Sequence, residues 1–333
     1  MDKWYYDENT DNIVVCSKIE LSRNIKNYPF PNRLSEDGNE KIFNLVKNVL
    51  YDENAYSQSY LNIINLNELT KAQLGALVER KIVPEDFTQK SGNKYIFLSK
   101  DESISIIICG EDHIKASIIT NSLNFEDNLK KAEELDSIIC SALPIAFNEN
   151  FGFLTECPTN LGTGMIVKTL LHLPALENEG AIGSISESVM HIGLSLKPYG
   201  DNHESKSSLY MLTNHVTLGI TEREAVNNLE AIAKQIVARE REARKRIDRL
   251  TLEDRVMRAL GVLKGAKRIS KLEVDEILSS INLGIWGGIV TDIDTKLLIE
   301  LYFTTGDNML KLIKNTTDLE STRSDYIKDR LNL

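Results

Sequence analysis

Apolar and polar positions alternate most clearly between residues 94 and 120. Runs at 95–98, 103–109 and 113–119 are rich in β-branched residues and separated by polar turns, so they read as strands. Gly110, Glu111 and Asp112 join the last two as a hairpin. Consecutive hairpins make an antiparallel sheet rather than a doubly wound parallel one. Further strands are expected at 12–15 running on into 16–24, and at 61–64, 151–155, 193–197, 209–212 and 215–218. Helical spacing appears elsewhere. Ser35 can cap a helix to about residue 50, with Ile42, Leu45, Val46 and Val49 on one face. Helices are also expected at 69–81, 125–141 and 184–191, and at 165–173, where Pro174 stops the run. Thr221 with Glu224 forms a capping box ahead of Val226, Leu229, Ile232, Ile236 and Val237. Beyond residue 250 the strand signals stop. Helices follow at 252–263, 271–281, 294–303, 308–314 and 322–331, with a second capping box at Ser270 and Glu273. The pattern therefore predicts an α+β fold over residues 13–243 that contains an antiparallel sheet, followed by an all-α C-terminal domain over 250–333.

Composition narrows the function classes. The 333 residues suffice for two domains, and 42% hydrophobic with 26% charged residues is ordinary for a globular protein. A net charge of -10 argues against a nucleic-acid partner. The basic-acidic run at 239–249 reads as a solvated, salt-bridged helix surface. The opening residues lack the apolar core of a signal peptide, and no apolar run reaches membrane-spanning length, so a cytoplasmic protein without a membrane partner is expected. Cys16, Cys109, Cys140 and Cys157 show neither a C-x-x-C pair nor zinc spacing and read as reduced thiols, with no metal site.

Candidate chemistry concentrates at residues 151–174. Cys157, Pro158, Thr159, Asn160, Gly162 and Gly164 form a tight polar turn between the expected strand and the expected helix. Unpaired backbone N–H groups at such a helix start would favour a thiolate or a bound anion. Taken alone, Cys157 reads first as a small buried hydrophobe. The longer string changes the balance: C-P-T-N-L-G-T-G followed by L-L-H-L-P-A-L resembles the signature of the ATP:guanido phosphotransferases, in the form found in the McsB-type protein-arginine kinases.

That resemblance covers nearly the whole chain and implies a central antiparallel sheet flanked by helices, ATP with Mg²⁺ as cofactor and arginine side chains of proteins as phosphoryl acceptors. Such a reaction needs carboxylates to hold the guanidinium and take its proton, and cations to grip the triphosphate. On the acceptor side, G-E-D-H-I resembles the family's E-E-D-H-I and carries the proton-accepting carboxylate over to Glu111. Cys157 falls on the guanidinium-contacting cysteine, and Asp201 of Y-G-D replaces a glutamate. On the donor side, the S-x-R-x-R pattern becomes Ser17, Lys18, Ile19, Glu20, Leu21, with Lys18 standing for one arginine and Glu20 for the other. Lys115 stands for the arginine of H-I-R, Ile166 for the arginine after G-T-G-x, and Leu196 for the arginine before Y-G-E. Lys168 and Lys197 lie nearby, and Lys81 replaces a nucleotide-holding histidine. Five arginines are thus replaced, one with reversed sign, and lysine lacks their bidentate fork. Near the C-terminus a phosphoarginine-binding R-D-x-x-R-A motif becomes L-E-S-T-R-S, which keeps only Arg323 and leaves it a surface helix residue.

Two readings follow. In one, the chain is a pseudokinase, a regulatory homologue. Its partners by resemblance are an activator protein, a stress-response repressor and a Clp-type unfoldase. In the other, it is an active protein-arginine kinase that holds ATP through lysines. A kinase of free amino acids fits less well, because the helical C-terminal domain resembles the protein-directed class. The resemblance also implies a homodimer through residues 250–333, where Leu297, Leu298, Leu301 and Tyr302 offer an apolar face.

Overall fold

A computed structural model describes residues 3–6, 12–51, 60–89, 92–200 and 207–333. Asp201 lies outside the described residues. The strands are β1 (Val14–Arg23), β2 (Leu61–Asn65), β3 (Tyr95–Ser99), β4 (Ile104–Ile108), β5 (Ile114–Thr120), β6 (Phe147–Asn148), β7 (Gly152–Phe153), β8 (Met165–His172), β9 (Leu194–Pro198) and β10 (Leu209–Asn214). Eight of them form one sheet, in the order β2-β3-β4-β5-β1-β8-β10-β9, with every neighbouring pair antiparallel. Strands β6 and β7 pair with each other as a separate small hairpin.

The helices of the sheet-bearing part are α1 (Glu36–Leu50), α2 (Lys71–Glu79), α3 (Glu85–Gln89), α4 (Phe125–Ala142), α5 (Pro174–Asn178), α6 (Ile182–Met190) and α7 (Glu222–Lys245). Ser35 caps α1, and the Thr221–Glu224 capping box opens α7, both as expected from sequence. Helices α1, α4 and α7 cover one face of the sheet. There Ile19, Leu21, Val167 and Leu212 share a core with Phe125, Leu129, Leu229 and Ile236. The C-terminal helices are α8 (Arg249–Gly265), α9 (Lys271–Trp286), α10 (Thr295–Thr304), α11 (Asp307–Lys314) and α12 (Leu319–Leu331).

The two parts share a core. Trp4, Tyr5, Val15, Cys16, Leu170 and Leu209 pack with Leu278, Leu298, Leu301 and Phe303 of the C-terminal helices. Leu298, Leu301 and Tyr302, expected on an apolar face for a second copy, are therefore buried within the chain itself.

Three expectations are corrected. Residues 165–173 form strand β8, not a helix. A short, mostly apolar run cannot be assigned by periodicity alone, and β8 is buried on both faces only in its second half, where the alternation is lost. Residues 215–218 are not a strand. Their backbone turns away so that the Thr217 hydroxyl donates to the Thr159 and Leu161 carbonyls at 2.9 and 2.7 Å. The charged run at 239–249 is not wholly a solvated surface. Glu240 and Arg244 are fully buried, paired at 2.8 Å, and Glu240 accepts the backbone N–H groups of Ala175 and Leu176 at the start of α5.

Candidate active site

Strand alternation decides which residues of β1 meet the open face of the sheet. Cys16, Lys18 and Glu20 line a cleft of about 580 Å³, while Ile19 and Leu21 enter the core. Ser17 also turns away: it is fully buried, and its hydroxyl donates to Thr169 Oγ1 at 3.1 Å. The same rule holds on β9, where Leu196 is buried in the core and Lys197 lines the cleft. Ile166 pairs across from Glu20 and Lys168 across from Lys18, so both stand on the cleft face.

These positions gather lysines around one acid. Glu20 is only 7% exposed. Lys18 Nζ lies 2.9 Å and Lys168 Nζ 2.8 Å from its carboxylate, and Lys115 Nζ approaches to 3.8 Å. Burial alone would raise the Glu20 pKa, but the ammonium groups of Lys168, Lys18 and Lys115 outweigh it and hold the group well below the usual range. Reciprocally, the Glu20 carboxylate raises the pKa of Lys115 against the opposing effect of its burial. Lys115 also lies 3.7 Å from Glu111, which is partly exposed at the β4–β5 turn.

The far wall is built by the segment after α2. Lys81 has a left-handed backbone (φ 58°), its carbonyl accepts from Lys18 Nζ at 3.4 Å, and its own Nζ lies 5.5 Å from the Tyr199 ring centre. Ser195, Thr213 and His215 line the cleft as well. Sequence reading passed over them, and over Cys16. The alternation of β1, β9 and β10 would have found Cys16, Ser195 and Thr213.

Beside the cleft, a buried polar bracket holds the Cys157 loop against the β4–β5 turn. Asp112 Oδ1 accepts from Asn24 Nδ2 at 2.6 Å and from the Glu156 N–H at 2.8 Å. His113 Nδ1 accepts the Ile25 N–H at 3.0 Å, and its Nε2 lies 2.8 Å from the Pro29 carbonyl. Burial lowers its pKa, so the ring is neutral and donates through Nε2. Gly162 and Gly164 have φ of +105° and +59°, and a Cβ on either would strike backbone, at Thr217 and Ser22 respectively. The Cys157 thiol is partly exposed and lies 3.0 Å from Thr159 Oγ1. Only a single 3-10 turn, Pro158–Asn160, follows it. The helix start expected to favour a thiolate there is absent, because β8 replaces that helix.

Arg323 is not a surface residue. It is 2% exposed, donates to the Thr305 and Ile269 carbonyls at 2.9 Å each, and pairs with Asp307.

The family model for the ATP:guanido phosphotransferase C-terminal catalytic domain matches residues 41–243. That for the protein-arginine kinase McsB C-terminal domain matches residues 249–333. The chain belongs to the ATP:guanido phosphotransferases, in their McsB-type protein-arginine kinase branch. It is 32% identical over 334 residues to a protein-arginine kinase of Caldanaerobacter subterraneus subsp. tengcongensis, covering 98% of both chains. It is 34% identical to one of Clostridium novyi, covering 99% of this chain and 98% of that one. Among solved structures, the substrate-free duplicated taurocyamine kinase from Schistosoma mansoni superposes with a TM-score of 0.62 at 20% identity, over 77% of this chain and 40% of that one. Lombricine kinase does so with a TM-score of 0.58 at 18% identity, over 72% and 71%. These two share the ATP:guanido phosphotransferase fold: an antiparallel sheet with flanking helices.

Proposed function

We propose that this chain is a pseudokinase of the protein-arginine kinase branch, a protein-binding regulatory member that has lost efficient use of ATP. One observation carries the reading. By resemblance, positions 18, 20 and 115 belong to the triphosphate clamp. Here Glu20 supplies a buried carboxylate on which Lys18, Lys168 and Lys115 converge. The protein's own anion thus uses the cations that a triphosphate would need. A triphosphate entering beside Glu20 would meet a like charge in a partly desolvated cleft. Ile166 adds no charge, and Leu196 faces the core. The residues present therefore fit Mg²⁺-ATP poorly. Glu111 and Cys157 keep the acceptor side nearer to the family pattern, which suits a protein that still engages arginine-bearing partners.

The competing reading, ATP held through lysines, draws on Lys81 and Lys197, which line the same cleft and, among the described residues, form no ion pair with Glu20. Calorimetry with ATP and Mg²⁺ on the purified chain separates the two. Affinity weaker than about 1 mM is expected, because each lost charged hydrogen bond is worth roughly 1.5–3 kcal/mol. Micromolar binding, or phosphoarginine formed on a test protein, would overturn the pseudokinase reading.

A further inference from the structure

Exposed apolar side chains are unevenly placed. In the sheet-bearing part, among the described residues, the large apolar side chains that reach solvent are Phe30, Phe147, Phe151, Met190, Ile192, Val216 and Leu218, each between 37% and 64% exposed. Scattered singly, such residues need no explanation. These instead lie on segments tied to the Cys157 loop and its polar bracket. Phe30 follows Pro29, whose carbonyl lies 2.8 Å from His113 Nε2. Phe147 and Phe151 belong to the β6–β7 hairpin, where the Phe153 N–H donates to the Gly162 carbonyl at 2.8 Å. Val216 and Leu218 flank Thr217, whose carbonyl accepts the Thr163 N–H at 2.9 Å. Met190 and Ile192 join them from the end of α6. There the Gly193 carbonyl accepts the His215 N–H at 2.8 Å, and a Cβ on Gly193 would come within 2.4 Å of Val216 Cγ2. The two groups meet at Gly162: a Cβ on Gly152 would strike Gly162, and one on Gly162 would strike Thr217 and Leu218. An aromatic strip and an aliphatic strip thus flank the loop.

We propose that these strips form a docking surface for an extended segment of another polypeptide, one with apolar side chains and basic ones between them. That role rests on the protein-binding half of the pseudokinase reading and lies outside the guanidinium site. Three observations choose the occupant. First, Phe30 and Phe147 border a cavity of about 280 Å³, lined also by Tyr28, Ala146 and Leu154. Small-molecule sites span about 300–1,000 Å³, so this one suits a single apolar side chain. Second, carboxylates are interleaved with the apolar groups. Glu149 sits in the hairpin turn between Phe147 and Phe151, and Glu156 adjoins Cys157. Glu187 precedes Met190 by three positions on α6 and so shares its side of the helix. In a chain of net charge -10, such a rim attracts basic side chains. Third, the area is small. A covered aromatic side chain buries about 150–250 Å², so the half-exposed strips together offer roughly 600 Å². A stable interface takes about 800 Å² from each partner. This face alone is therefore too small to hold a second copy, and it fits a segment that binds and leaves.

The test is fluorescence anisotropy on the full chain without nucleotide. The probe is a fluorescein-labelled synthetic peptide that alternates Phe and Leu with Lys and Gly. It contains no arginine, so the guanidinium site is not what it reads. One control peptide replaces Phe and Leu by Ser, and a second replaces Lys by Glu. The probe is expected to bind at least about tenfold more tightly than either control. Phe30→Ser with Phe147→Ser, and separately Ile192→Ser with Leu218→Ser, should each weaken it about tenfold while circular dichroism stays unchanged. Should a double variant fail to fold, Phe147→Ser and Leu218→Ser decide singly, because both side chains are half exposed. A probe bound no more tightly than a control, or indifferent to either set of variants, overturns the proposal. So does light scattering in which the unaltered chain dimerises and these variants do not, because a second copy then covers the face. Micromolar ATP binding would overturn the pseudokinase reading and leave the peptide result standing.

Discussion

At the residue scale, the behaviour of Glu20 follows from its surroundings. Its carboxyl titrates well below the usual range in the folded chain because three ammonium groups outweigh its burial. Unfolding returns it to an ordinary value. Its contribution to stability is therefore complete above the ordinary carboxylate range and disappears as pH falls through the lowered folded value. Removing one partner from a fully buried ion pair costs about 3–5 kcal/mol; because the lysines here are partly solvated, about 1–3 kcal/mol is expected for Glu20→Gln at pH 7. Urea unfolding at pH 7 and at successively lower pH should show that difference shrinking on the acid side. A constant difference would contradict the assignment. Glu20→Arg should be worse than Glu20→Gln, since it adds a fourth cation to three. Sequence reading could name Lys18, Lys115 and Lys168 one by one. It could not show that they point at one carboxylate, because that depends on register between β1, β5 and β8.

At the element scale, the segment that builds the cleft wall is tied to the C-terminal helices. Glu79, at the end of α2, accepts the Asn308 N–H and Nδ2 at 2.8 Å each and the Met309 N–H at 3.0 Å. It thus caps α11 from another element, while Gly306, the N-cap residue of α11, offers no side chain of its own. A Cβ on Gly306 would lie within 2.3 Å of the Glu79 carboxylate, and one on Gly75 within 2.4 Å of Asn308. Glu79→Ala should remove about 1–2 kcal/mol, the scale of a lost helix cap. Amide exchange at Asn308 and Met309 should accelerate with it; unchanged protection would show that the cap carries no stability. Local caps at Ser35 and Thr221 were legible because residue and target lie three positions apart. The Glu79 cap spans 229 positions and leaves no pattern to read. Strand β8 was misread for a related reason. On its cleft-side face Leu170 and His172 are buried beneath the C-terminal helices, so polar residues do not alternate along the whole strand.

At the scale of the whole molecule, the sheet and the C-terminal helices are not separable layers. A buried polar chain crosses between them: Arg244 contacts His172 Nδ1 at 3.1 Å, and His172 Nε2 lies 2.8 Å from the Ser279 hydroxyl. Burial, reinforced by the Arg244 charge, lowers the His172 pKa and keeps the ring neutral. Ending the chain near residue 248 would strip the cover from Val15, Cys16, Leu170 and Leu209. Such a truncation should lose cooperative unfolding or aggregate, as judged by thermal denaturation and size-exclusion chromatography. A soluble fragment melting at the full chain's temperature would contradict this. The sequence by itself determined the fold class, the antiparallel order of the hairpins and the family, because hydrophobic period, turn residues and a long motif are written in neighbouring positions. Only the tertiary structure decided that Ser17 and Leu196 turn away from the cleft, that Arg323 is buried, and that Lys168 closes on Glu20 from 148 positions away. A strand carries two faces, and which one is open depends on what the rest of the chain packs against it.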